Sequence, residues 1–263
     1  LIQQIRLVPP LGDVLKAEGL VLEPIGAVLA LLILELLVGD LHGWKEVFIG
    51  LLSRLGGGVL IGLFAGWILS EGLRRIKTDS ALGIRLQITL GILFLLYGIC
   101  EWLLPESGLP ASVAAGFIVG RTPSIQVDQL DELIRELAQL AITMLFPLLA
   151  ADVSWAELSP LGWGGIICVL VLMVVIRPAA VSLATIGLPL DFKQRLFLGW
   201  LAPRGIVTAA VASLFSIRLE QAGILGAGRL QGLVFLTILM TVGIQGLTAK
   251  PFAKFLGLLE KEE

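Results

Sequence analysis

The chain has 263 residues, of which 57% are apolar and 15% charged, with a net charge of −2 and a mean hydropathy of +0.96. Apolar runs recur from end to end without the alternation of barrel strands, which excludes a water-soluble domain and predicts a polytopic all-α membrane protein. The basic residues form no patch for nucleic acid, and Cys100, Cys168 and the only histidine, His42, lack the spacing of a metal site.

A span needs about 20 apolar residues, and eight segments are predicted: 18–39, 46–71, 82–104, 109–121, 136–152, 162–186, 195–217 and 229–251. The chain starts at Leu1 and shows no signal peptide, so a piece of a longer protein is expected. The first segment carries Glu18, Glu23 and Pro24. A carboxylate in hydrocarbon costs roughly 2.5–3.5 kcal/mol on insertion scales and marks an ion or proton site unless it meets an aqueous path or a partner. Pro24 disfavours helical geometry at Glu23 and leaves the Leu20 carbonyl without its donor, so a local break is expected there.

The second segment holds Arg54 and then Gly58, Gly62 and Gly66, a ladder of small residues that permits close helix contact, either inside the fold or between two copies. Pro105-Glu106-Ser107-Gly108 forms a tight turn before a short fourth segment, and 122–135 is polar enough to lie in the interface. With a cytoplasmic N-terminus, alternate loops collect fourteen Lys and Arg residues on the inner side and three (Lys45, Arg218, Arg229) on the outer side. That asymmetry supports both the orientation and the eight-span count.

Glu18 and Glu23 lie five residues apart, about 140° around a helix, so they serve different roles. Arg204 stands between Pro203 and Gly205 in the seventh segment, where an interrupted helix is expected. Its permanent charge requires an acidic partner or water. Glu18 is the expected partner, leaving Glu23 unpaired; the alternative makes Glu18 an interfacial helix-start acid. An unpaired carboxylate with backbone carbonyls nearby can hold a proton or a dehydrated monovalent cation in competition. Glu35, Glu101 and Asp152 are expected as interfacial charges, and Arg177-Pro178 as an inner helix end with a snorkelling side chain.

The stretch AEGLVLEPIGAVLA resembles the G-E-S-L-L-N-D segment of the monovalent cation:proton antiporters, the sodium/hydrogen exchanger family. On that resemblance Glu18 falls on the family's glutamate and Glu23 on its ion-binding aspartate, and APRGIVTAAVASLF places the glutamate's arginine on Arg204. MVVIRPAAVSL and LVFLTILMTVGIQGLTAKPFAKFLG are similar to the flanking helices. The resemblance implies inverted repeats, with core helices at 16–39, 162–186, 195–217 and 229–251, a linker helix at 46–71 and dimerisation helices at 82–152.

It further implies a membrane domain that here lacks its N-terminal spans and exchanges Na+ or K+ for H+ by elevator-like alternating access. One titrating carboxylate with no second acid beside it favours electroneutral exchange. Glu23 would be the shared ligand, in a homodimer of a plasma or bacterial inner membrane with cytoplasmic termini and no cofactor beyond the transported ions. Leu22 replaces the family's asparagine, Glu23 its aspartate, and its threonine-aspartate-proline segment has no match here. Two rival readings keep the fold: a non-transporting scaffold, and a cation channel uncoupled from protons.

Overall fold

A computed structural model describes residues 7–75, 82–122, 127–151, 158–202, 207–224 and 226–259. The described residues form nine helices and no strand: α1 (Leu11–Val38), α2 (Trp44–Arg75), α3 (Leu82–Leu103), α4 (Gly108–Gly120), α5 (Val127–Ala151), α6 (Ser159–Ala184), α7 (Phe192–Trp200), α8 (Val207–Gln221) and α9 (Ala227–Leu256).

Five of these, α1, α2, α3, α6 and α9, are long and apolar enough to cross a membrane on their own. The other predicted spans depart for physical reasons. Helix α4 has 13 residues, about 20 Å of rise against roughly 30 Å of hydrocarbon. The expected boundary between an interfacial stretch at 122–135 and a span at 136–152 is absent, because α5 runs unbroken from Val127 to Ala151. Its polar first half, rich in Leu, Glu and Arg, is as good a helix former as its apolar second half. The seventh span is divided: α7 ends at Trp200, Leu201 is extended at φ −88° and ψ 115°, and a separate helix, α8, is described over Val207–Gln221.

Pro24 does not break α1, contrary to expectation, since the helix continues from Leu11 through Val38. One proline removes one hydrogen bond, which a 28-residue apolar helix tolerates in a membrane setting. Helices α6 and α9 instead each carry a five-residue π turn, Leu172–Ile176 and Thr241–Gln245. The first directly precedes Arg177-Pro178, widening the helix where the proline ring would otherwise crowd the preceding turn.

The chain forms two compact units, Leu1–Leu20 with Leu149–Glu263, and Val21–Leu148. In the second unit, α2 lays Gly58, Gly62 and Gly66 against Ser107, Ala111 and Ala115 of α4. A Cβ added at Gly62 would stand 2.1 Å from the Ala111 carbonyl oxygen, so only glycine permits this approach. The glycine ladder therefore serves packing inside the fold. Ser70 and Thr122 add a hydroxyl bond between these helices at 3.1 Å. Glu101, expected at the interface, caps α4 instead by accepting from the backbone N–H groups of Glu106 at 2.9 Å and Gly108 at 3.1 Å.

In the first unit the core joins Leu11 and Leu15 of α1, Val181 of α6, Phe197 and Leu198 of α7, and Ala249, Ala253 and Leu256 of α9. Phe252 stacks on Phe197 with ring centroids 6.2 Å apart. The start of α1, the end of α6, the C-terminal half of α7 and the end of α9 thus share one buried centre.

Candidate functional site: an ion pair at the end of an interrupted helix

Glu18 lies one turn beyond Leu15, the side chain that seats α1 in this core. Its carboxylate is held by Arg177, one guanidinium nitrogen meeting each oxygen, with Nη2 to Oε2 at 2.8 Å. Both side chains are 18% exposed, so the pair is largely withdrawn from solvent. Such fork-on-fork pairing fixes orientation as well as charge.

The same Arg177 Nη2 donates to the carbonyl oxygens of Leu198 at 3.3 Å and Leu201 at 3.2 Å. These carbonyls close α7, where the chain leaves helical geometry and the last turn lacks intrahelical donors. On the other polar edge of that end, the Ala202 N–H donates to Gln245 Oε1 at 3.2 Å, and the Trp200 indole donates to Thr248 Oγ1 at 3.0 Å. Arg177 thereby ties α1, α6 and the end of α7 together, while α9 supplies Gln245 and Thr248.

The expected partner of Glu18 was Arg204. Arg204, Pro203 and Gly205 lie outside the described residues, as does Asp152, and it is Arg177 that occupies the Glu18 carboxylate. Arg177 is accordingly no snorkelling helix end. Its distance of 159 residues from Glu18 explains why spacing gave no sign of the pair.

Glu23 stands five residues further along α1, half-buried, with Pro24 buried beside it. It makes no hydrogen bond or ion pair with any described residue. Glu35, expected to be an interfacial charge, is instead 17% exposed and receives Arg54 Nη2 on both oxygens, at 2.9 and 3.0 Å. Of the three acids α1 places beyond its first turn, Glu18 and Glu35 are paired with arginines and Glu23 has no partner among the described residues. Gln245 is the residue the sequence reading missed altogether; its only sign was a polar amide inside the apolar run of the last span. Among the described residues no group of three or more His, Cys, Asp and Glu could hold a metal ion.

The chain matches the transmembrane sodium/hydrogen exchanger family over residues 1–255. It belongs to that family. Similar proteins include the "Probable Na(+)/H(+) antiporter 2" of Methanocaldococcus jannaschii, 24% identical over 94% of this chain and 64% of the relative. The "Na(+)/H(+) antiporter NhaH" of Halobacillus aidingensis is 27% identical over 82% of this chain and 54% of its own length. Among solved structures, the sodium proton antiporter MjNhaP1 of M. jannaschii at pH 8 superposes with a TM-score of 0.83 at 26% identity, covering 98% of this chain and 66% of that one. The chain thus spans between half and two thirds of the length of these relatives. As an exchanger-family chain with five helices long and apolar enough to span, it is an integral membrane protein of antiporter fold.

Proposed function

We propose that this chain is the C-terminal part of the membrane domain of a secondary antiporter that exchanges a monovalent cation, Na+ or K+, for H+. Glu23 would be the carboxylate both ions share. The observation that carries the reading is the contrast along α1, where Glu18 is held by Arg177 and Glu35 by Arg54 while Glu23 has no partner among the described residues. A neutralised carboxylate binds no further cation, whereas an unpaired one within an apolar helix must take a proton or a cation. One carboxylate holding either ion, never both, couples their movements and favours one-for-one, electroneutral exchange.

In this reading Glu18 and Arg177 form the supporting pair, with Arg204 a further charge in the segment that follows α7 in the sequence. Helices α1, α6, α7, α8 and α9 supply core elements, α2 the linker, and α3 to α5 the contact between two copies. Elevator-like movement of the core, cytoplasmic termini and a plasma or bacterial inner membrane complete the proposal.

The test is flux into proteoliposomes carrying the native full-length protein, with internal pH followed by a dye as Na+, K+ or Li+ is added outside. Wild type should move protons in response to a cation, and Glu23→Gln should be silent. Equal behaviour of the two proteins would overturn Glu23 as the exchange site. Cation flux indifferent to a pH gradient would replace the antiporter with a channel.

A further inference from the structure

Gln245 ends the π turn of α9 and is 2% exposed. Its Oε1 faces the Ala202 N–H at 3.2 Å, and its Nε2 is fully buried with no hydrogen-bond partner among the described residues. The assignment of oxygen and nitrogen follows from chemistry, because Ala202 offers a donor and only the amide oxygen can accept it. What remains free is therefore an N–H pair.

A buried amide without an acceptor is costly to leave unmade, and deeply buried groups of this kind are ordinarily satisfied by protein or ordered water. A free N–H pair cannot ligate a cation directly. It can hold an acceptor oxygen. The location narrows the role further. Ala202 follows the extended Leu201 at the end of α7, and Arg177 holds the carbonyls of Leu198 and Leu201 on the same chain end. Arg177 is anchored in turn by Glu18, and the Trp200–Thr248 bond keeps α9 against α7. The π turn matters here, since its extra residue rotates Gln245 relative to Thr241 and leaves Gln245 and Thr248 both facing α7.

We propose that Gln245 is a positioning residue of the exchange cycle: through Ala202 it sets where α7 stops, and with its free N–H pair it holds an ordered water at that helix end. The inference rests on the antiport reading above. It assigns to Gln245 the accepting half of a two-sided clamp on the end of α7, whose donating half is Arg177.

Two variants in the native full-length protein test it. Gln245→Met keeps the length and removes both the bond to Ala202 and the free N–H pair. Gln245→Glu keeps an acceptor toward Ala202 but offers a donor only when protonated. The cation concentration for half-maximal exchange should rise about fivefold in Gln245→Met, the worth of roughly one neutral hydrogen bond. In Gln245→Glu the defect should be small at low pH and deepen as pH rises.

Wild-type half-saturation in Gln245→Met, or a wild-type pH profile in Gln245→Glu, overturns the proposal. Where Gln245→Met does not assemble, the pH profile of Gln245→Glu decides. If the wild type itself exchanges nothing, the antiport reading fails separately, and amide hydrogen exchange at Ala202 judges the clamp. Faster exchange at Ala202 in Gln245→Met, with protection kept in Gln245→Glu, supports it; unchanged protection in Gln245→Met overturns it.

Discussion

An arginine whose charge cannot be removed takes its stability from whatever surrounds it, and Arg177 is surrounded by one carboxylate and two carbonyls. Removing the carboxylate leaves a largely buried cation with carbonyl dipoles alone. Glu18→Gln should therefore lower stability by about 3–5 kcal/mol, the usual cost of orphaning one member of a buried pair. Glu18→Met combined with Arg177→Met should be less damaging than either single change, because both charges then leave together. Thermal unfolding of wild type, Glu18→Gln, the two single Met variants and the double variant in detergent, read by size-exclusion fluorescence, measures this, and strictly additive losses in the Met series would show that the pair is not coupled. The importance of Glu18 was legible in the sequence, because a carboxylate within an apolar segment must be explained. Its partner was not: both Arg177 and Arg204 sit next to a proline in apolar surroundings, and one-dimensional spacing does not say which guanidinium the fold brings to α1. Glu35 and Arg54 illustrate the same limit at a separation of 19 residues. Each was read alone, one as an interfacial charge and one as a basic residue inside a span, although each is what makes the other tolerable.

Helix limits were the more legible level, since apolar length and punctuation by Pro, Gly and charge determine them locally. The first four spans and the last were placed within several residues of α1 to α4 and α9. The π turns escaped because they answer a local crowding that composition does not encode, and the continuity of α5 escaped because its polar start was read as an interfacial stretch separate from the span that follows. The glycine ladder was legible as a close-contact surface, but only the opposing face of α4 identifies what it contacts. That distinction gives a paired prediction. Gly62→Ala would force a methyl to within 2.1 Å of the Ala111 carbonyl oxygen, a backbone atom that cannot rotate away, and should destabilise by about 1–3 kcal/mol. Gly56→Ala, six residues earlier on the same helix with nothing within 4 Å, should be neutral or stabilise by up to about 1 kcal/mol. A shift of melting temperature in the same direction for both variants would mean that helix propensity, not the α2–α4 contact, governs this region.

At the scale of the molecule, the hydropathy that announced a membrane protein should reappear as a surface that prefers lipid. Large apolar side chains point outward on the described helices: Trp102 is 84% exposed, Trp163 79% and Trp44 72%. A soluble domain would not present so many, whereas in a bilayer such side chains cost nothing to expose, and indole rings favour its interfacial zones. Trp200 is the counterexample within the same chain, only partly exposed, donating to Thr248 and packed 5.9 Å from the Phe252 ring. Single-tryptophan variants reconstituted with brominated lipids separate the two environments, because bromine quenches indole fluorescence only at short range. Proteins keeping Trp102, Trp163 or Trp44 alone should be strongly quenched, and one keeping Trp200 alone should be nearly unaffected. Strong quenching of Trp200 would mean that the end of α7 faces lipid, and that the contacts from Arg177, Gln245 and Thr248 do not enclose it. Uniform protection of the other three would mean that further protein, not lipid, covers those faces.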